Sequence, residues 1–348
     1  MKLNKLDIKI FGASHEKSVG LELSGIPKGE QINLDELQLF IDRRKPSDSV
    51  FSTKRKESDK INILSGITEN RTDGSVIGAE ILNIDSKSAD YAENMYIPRP
   101  SHADYASYIK YGRIFPGGGR FSGRMTAPLV IAGGIIKQIL ARRGIVIISY
   151  ISEIGKIKGL TYRKKLISPS YSTTNFPAPL AAKKMLDEIK AAAESGDSIG
   201  GVIETIIYGL QAGLGGELFD GLEGKISSLV FGIPAVKGIQ FGGGFLLSNM
   251  RGSTANDPFA LKDDKIITAS NHSGGISGGV SNGMPITFRV AIKPTPSISL
   301  PQKSVDLRTM KEAELIIKGR HDACIAPRAV PCIESAAAIA IYDEILNG

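Results

Sequence analysis

The sequence predicts an α+β protein, and three observations carry that expectation. Strand-like alternation and helix-like periodicity both occur, but they never settle into a strict strand–helix–strand repeat. Hydrophobic residues make up 42% of 348 residues, ample for a sizeable core. The final third is glycine-dense, with loop-rich segments around short strands at 232–245 (GIPAVKGIQFGGGF) and 270–286 (SNHSGGISGGVSNGMPI). Length alone allows two domains or one large one. No internal repeat or sharp linker divides the chain, and it is taken as a single domain over 1–348.

Residues 5–11 (KLDIKIF) alternate like a half-buried strand, and 20–26 read as a second one ending at the Pro27-Lys28-Gly29 turn. A helix follows. Asn33 is a good N-cap, Asp35 and Glu36 lie in the first turn, and Leu34, Leu37 and Ile41 share a face. Arg43, Arg44 and Lys45 fill its last turn and Pro46 stops it. The loop that follows, to Lys60, is too basic to be only a cap. Residues 60–68 and 75–84 are expected strands around a turn at Asp73-Gly74. A helix from Thr126 and Pro128 places Leu129, Ala132, Ile135, Ile136, Ile139 and Leu140 on an apolar face and ends near Gly144. Residues 145–151 read as a buried strand, and 156–180 as a polar surface excursion. A helix is expected over 180–194, a strand over 200–210, and an amphipathic helix over 217–230 through Leu218, Leu222, Ile226 and Leu229. PITFRVAIK (285–293) reads as a strand running into the extended, proline-held KPTPSI (293–298). RTMKEAELIIKG (308–319) reads as a helix, and a terminal helix starts at Pro331.

Charge narrows the function classes. A net charge of +7 and an isoelectric point near 9.2 favour acidic partners. Aromatics are sparse and Trp is absent, which argues against a stacking platform for single-stranded nucleic acid. Arginines set singly among glycines and histidines suit a pocket for a small polyanion better than a nucleic-acid stripe. Two cysteines make no disulfide framework, so a reducing cytoplasm is expected. The N-terminal residues lack a signal-peptide core, and no run is expected to reach the ~18 apolar residues of a membrane span.

One stretch, 98–134, reads as a site: PRPSHADYASYIKYGRIFPGGGRFSGRMTAPLVIAGG. Gly117, Gly118 and Gly119 free the backbone to approach a ligand, and the helix start beyond them offers unpaired N–H groups to an anion. Arg120 and Arg124 add forked donors, and His102 can move a proton near neutral pH. The loop lacks the Lys-Ser/Thr ending of a P-loop. The chain has four histidines, His15, His102, His272 and His321, and all lie in loops of small or polar residues rather than apolar runs. His321, Cys324 and Cys332 lack the spacing of a standard zinc site, so no metal is expected.

Taken together, GASHEKSVG, IDRRKP, KINILSG, RPSHADYASYIKYG with GGGRFSGR, AVKGIQFGGGF, SNHSGGISGGVSNGMPI, KPTPSI and GRHDACIAPRAVP resemble the chorismate synthase family. They stand in the family's order and span nearly the whole chain. The resemblance implies a β-α-β sandwich of two antiparallel sheets with helices, and a homotetramer. It implies anti-1,4-elimination of phosphate and a ring proton from 5-enolpyruvylshikimate 3-phosphate, giving chorismate, with reduced FMN required although no net redox change occurs. It implies catalytic roles for His15, His102 and Asp322, and substrate binding by Arg44, Arg99, Arg124 and Arg320. It implies FMN contacts at Arg120, Phe121, Ser122, Ala235, Gly278, Lys293, Pro294, Thr295, Pro296, Ser297 and Arg320. Some members also reduce their flavin with NADPH; the chain lacks a convincing G-x-G-x-x-G fingerprint after a strand, so this would be an added activity. The chain departs from the family pattern at Ala13, Glu16, Val50, Ser101, Pro116, Phe121, Met125 and Pro234.

Overall fold

The computed structural model describes residues 1–45, 59–83, 95–159, 179–317 and 321–348. Arg320, Val50, the basic 46–58 stretch and most of the expected 156–180 excursion lie outside these residues.

Two antiparallel sheets enclose a layer of helices. The first sheet holds β1 (Asp7–Gly12), β2 (Ser18–Ser24), β3 (Ile61–Ser65) and β4 (Ile77–Leu82), in the order β1-β2-β4-β3. The second is built from β5 (Val146–Ile154), β6 (Ile157–Lys158), β7 (Gly201–Tyr208), β8 (Val236–Phe241) and, later in the chain, β11 (Ile286–Ile292). Its order is β8-β11-β7-β5-β6. A separate hairpin, β9 (Phe259–Lys262) and β10 (Lys265–Thr268), precedes β11.

The helical layer is α3 (Thr126–Arg142) and α6 (Ala326–Asn347), which pack on each other. α3 lies on β2 and β4 of the first sheet, and α6 on β5 and β7 of the second. This is the β-α-β sandwich that the resemblance implied. Small residues set the close approach. A Cβ on Gly133 would lie 2.1 Å from the Ser335 Cβ, so only glycine lets the two helices cross there. One on Gly134 would lie 2.6 Å from Leu37 Cδ1 of α1 (Leu34–Asp42). α6 answers with Ala336, Ala337, Ala338 and Ala340, all buried.

The segment Gly123–Arg142 is long and apolar enough to cross a membrane, with a mean hydropathy of 1.2, contrary to the expectation of no such run. Its apolar surface is spent in the core: 78% of that window is buried between the sheets. Buried polar groups also sit in this layer, Glu334, Ser335, Asp343 and Glu344 of α6 among them. The buried Glu334 carboxylate of α6 accepts from Arg43 Nη1 (2.8 Å), Lys137 Nζ (2.6 Å) and the Ser149 amide (2.7 Å). It thereby ties α1, α3, α6 and β5 together.

Asn33 caps α1 as its sequence predicts, accepting from the amides of Asp35 (3.0 Å) and Glu36 (3.1 Å). Several expectations fail. Residues 308–319 are not a helix: β12 (Gln302–Asp306) and β13 (Lys311–Leu315) form a hairpin. The turn between them is set by Asp306, whose carboxylate accepts the Arg308 amide at 2.8 Å and whose carbonyl accepts the Met310 amide at 2.8 Å. The terminal helix starts five residues early, at Ala326, so Pro331 lies inside it. Burial of nearly every residue from Ala329 to Glu344 fixes that helix despite the missing donor. The expected 217–230 helix, which follows α4 (Pro179–Glu194) where a helix was read, is shorter. A single turn, Leu218–Asp220, precedes α5 (Leu222–Phe231), and Leu218 stays exposed. Helix α2 (Asp104–Tyr111) was not expected at all.

Candidate active site

A cleft of about 710 Å³ opens where α1, α3, α6 and the start of β8 converge. The Gly-rich loop forms one side of it. Gly117, Gly118 and Gly119 all have positive φ (59°, 84° and 54°), as a tight turn without side chains requires. Two histidines crowd that turn. A Cβ on Gly117 would lie 2.2 Å from His15 Nε2, and one on Gly118 would lie 3.3 Å from His102 Nε2. The glycines thus bring the strand-end His15 and the distant His102 to one place. His102 lines the cleft, whereas His15 stands behind the loop at Gly117.

His102 is oriented by Asp104, at the first turn of α2. Asp104 Oδ1 lies 2.6 Å from His102 Nδ1. Arg99 grips the same carboxylate with Nε at 2.7 Å and Nη2 at 2.9 Å. Burial alone would raise the Asp104 carboxyl, but the hydrogen bonds from Arg99 and His102 and the Arg99 charge carry it well below the usual carboxylate range. An ionised Asp104 has no proton to give, so the 2.6 Å contact puts the proton on His102 Nδ1. Arg99 Nη2, 3.0 Å from that nitrogen, donates instead to Asp104 Oδ1, and His102 keeps Nε2 for the cleft.

The opposite wall is built on a second carboxylate. Asp59 accepts from Arg44 Nη1 at 3.0 Å and from Arg124 Nη1. Arg44 Nε donates to Thr126 Oγ1 (3.0 Å), and Arg124 Nε to Asn83 Oδ1 (2.9 Å). Burial would raise Asp59; Arg44 and then Arg124 outweigh it and hold the carboxyl below its ordinary value. A third pairing closes the far end. Arg328 Nη1 donates to Asp322 Oδ2 at 2.6 Å, and its Nε donates to the Arg44 carbonyl at 3.0 Å.

The remaining wall is β8 and the KPTPSI segment. Ala235 has φ +70° and Ser101 φ +57°, left-handed conformations that non-glycine residues seldom adopt and that cluster at functional sites. Ala235 O accepts the Lys293 amide at 3.0 Å, and Ser101 O accepts from Lys293 Nζ. Burial, and then the charge of Lys237, lowers the Lys293 ammonium. Thr295 Oγ1 is buried here with no hydrogen-bond partner among the described residues.

Of the residues expected from the sequence, Arg44, Arg99, His102 and Arg124 line this cleft, as do Arg120, Phe121 and Ser122. So do Ala235, Lys293, Thr295, Pro296, Ser297 and Asp322. Pro294 and Gly278 are not among the lining residues; Gly278 turns the short hairpin Ile276–Ser277 and Val280–Ser281. Asp59, Lys237 and Arg328 had no expected role. Their signal was weak: each is one charge in its segment, and the partners of Asp59 stand 15 and 65 residues away. Cys332 lines the cleft as a buried thiol, donating to Arg328 O at 3.5 Å, and burial pushes it up in pKa. Burial pushes Cys324 up to about 12. Among the described residues no three His, Cys, Asp or Glu side chains gather as a metal site.

Comparisons with known proteins agree with one another. A family model described as chorismate synthase matches residues 6–346. A chorismate synthase of Dehalococcoides mccartyi is 46% identical over 350 residues, covering 99% of this chain and 96% of the relative. One of Thermococcus kodakarensis is 43% identical, covering 100% of this chain and 98% of the relative. A crystal structure of a chorismate synthase superposes with a TM-score of 0.78 at 26% identity, covering 99% of this chain and 93% of that one.

Proposed function

The chain belongs to the chorismate synthase family, and from that premise we propose that it removes phosphate and a ring proton from 5-enolpyruvylshikimate 3-phosphate by anti-1,4-elimination, giving chorismate. One observation supports this most. A histidine with its Nδ1 proton fixed on Asp104 presents Nε2 to a cleft walled by the separate guanidiniums of Arg44, Arg99 and Arg124. That arrangement suits a substrate with one phosphate and two carboxylates, in which a proton must reach the departing group.

The residues also fit reduced FMN, the cofactor of this proposal. The wall of Ala235, Lys293, Thr295 and Ser297 offers an orphaned hydroxyl at Thr295 and two cations, Lys293 and Lys237, whose mutual repulsion an anionic group between them would relieve. Bound there, reduced FMN would supply transient electron density to the ring and a protonatable N5. Each remaining task falls to the chain itself. Arg44, Arg99 and Arg124 hold and orient the anionic groups. His15 and His102 are the proton donors, one of them to the leaving phosphate oxygen; His102 acts as an imidazolium, giving the Nε2 proton while the Nδ1 proton stays hydrogen-bonded to Asp104. Asp322, held by Arg328, accepts or relays a proton at the far end of the cleft. Arg320 belongs to the same set by its place in GRHD. The protein acts in the cytoplasm on a small molecule, with no nucleic-acid or membrane partner, and as a homotetramer.

The test is anaerobic assay with reduced FMN and 5-enolpyruvylshikimate 3-phosphate, with chorismate the expected product. Absence of chorismate while a control enzyme turns over in parallel overturns the proposal.

A further inference from the structure

We propose that Asp59 is a positioning residue for substrate binding: its single buried carboxylate holds Arg44 and Arg124 side by side and fixes the surplus positive charge that the cleft offers an anion. The inference rests on the reading of the cleft as the substrate site. The two arginines come from just past α1 and from the turn before α3; Arg44 Nη2 reaches the Gly123 carbonyl at 3.2 Å and Arg124 Nη2 the Leu82 carbonyl at 3.4 Å, and a shared carboxylate bridges the two guanidiniums. Asp59 does so with one oxygen each: Oδ2 to Arg44 and Oδ1 to Arg124. It is 1% exposed, so solvent cannot replace it. Two guanidiniums at this separation repel, and one carboxylate between them leaves one net positive charge. Arg328, itself paired with Asp322, also helps from the α6 side to hold Asp59 ionised.

The chain commits structure to this geometry. Asp59 has φ +38°, a left-handed conformation for a non-glycine residue. Its carbonyl accepts from Gln38 Nε2 at 3.0 Å, and Gln38 Oε1 accepts the Ile61 amide at 3.0 Å. Gln38 lies on α1, one turn before the helix ends at Asp42, and does not line the cleft. The strained residue is thus clamped from the helix whose end leads into one of its partners, Arg44.

The experiment measures steady-state kinetics with reduced FMN under anaerobic conditions and, separately, the affinity for inorganic phosphate by calorimetry. In Asp59→Asn one amide hydrogen faces a guanidinium, so KM and the phosphate dissociation constant are each expected to rise by about tenfold or more, with kcat changed by less than about threefold. Gln38→Ala alters no charge and frees the Asp59 backbone; KM is expected to rise about threefold. On an Arg124→Gln background, the effect of Asp59→Asn should shrink by about threefold or more, because one of the groups it acts through is gone. Unchanged KM and phosphate affinity in a folded Asp59→Asn protein, or full additivity with Arg124→Gln, overturns the inference. If Asp59→Asn does not fold, Gln38→Ala decides, and wild-type KM in that variant overturns it. Wild-type protein that binds phosphate but makes no chorismate overturns the functional reading instead, while the phosphate arm still tests Asp59.

Discussion

At the scale of single residues, the site is a set of carboxylates that each organise a cation. His102 without Asp104 would sample both tautomers; with it, Nε2 is the free nitrogen. His102→Ala is therefore expected to cut kcat by about a hundredfold or more while leaving FMN binding largely intact, as measured by turnover and flavin titration. Turnover within twofold of wild type would remove the residue from the mechanism. Asp104 also makes a prediction in pH. Its carboxyl is held below the ordinary range, so it stabilises the folded state fully above the unfolded value of about 3.9, and the gain disappears as pH falls below that value toward the folded one. The stability gap between wild type and Asp104→Asn, read by urea unfolding, should be flat from neutral pH to about pH 5 and narrow only below about pH 4. A gap that closes between pH 6 and 7 would contradict this. Ser101 illustrates a different residue-scale effect. At φ +57° it carries backbone strain that glycine would not. Ser101→Gly keeps the carbonyl that Lys293 uses and is expected to add about 0.5–1 kcal/mol of stability.

At the scale of elements, contact between α3 and α6 decides where the site's parts stand. α3 carries the Gly-rich loop at its start, and α6 carries Arg328 and follows directly on Asp322. Gly133 sets their separation. Gly133→Ala places a Cβ at 2.1 Å from Ser335 Cβ, against backbone that cannot yield, and is expected to cost about 3 kcal/mol in urea unfolding. A variant as stable as wild type would show that the two helices can separate freely. The elements also show what sequence could and could not disclose. The Asn33 cap and the apolar run of α3 were legible because their signals are local. The 302–315 hairpin was misread because Lys-Glu-Ala-Glu-Leu consists of good helix formers, and propensity yields to the Asp306 turn and to pairing with β12. α2 went unseen because it lacks a side-chain cap.

At the scale of the whole molecule, most of the cleft was legible because its reactive residues stand in short Gly-, Ser- and Pro-rich segments that the family resemblance links. Asp59 and Arg328 were not, because their meaning lies in pairings that only the fold creates: Arg44 with Asp59 with Arg124, and Arg328 with Asp322. The sandwich accounts for its own core, yet it leaves large apolar side chains in solvent on segments outside the two main sheets. Phe259, Leu261 and Ile266 share one face of the β9–β10 hairpin, since Leu261 pairs directly with Ile266, and they are 78%, 81% and 71% exposed. Phe219 and Phe245 are 96% and 82% exposed. Such surfaces are uncommon on a monomer and mark contact with another protein. With the proposed homotetramer, other copies of the chain would cover them. Light scattering of the wild-type protein should then give four times the 37.2 kDa chain mass. Leu261→Asp with Ile266→Asp puts two charges on that hairpin face and should shift the population to smaller species at micromolar concentration, without unfolding the sandwich, since neither side chain is in the core. A wild-type mass of 37.2 kDa at the same concentration would overturn the assembly. An unchanged tetramer in the double variant would move the interface away from this hairpin.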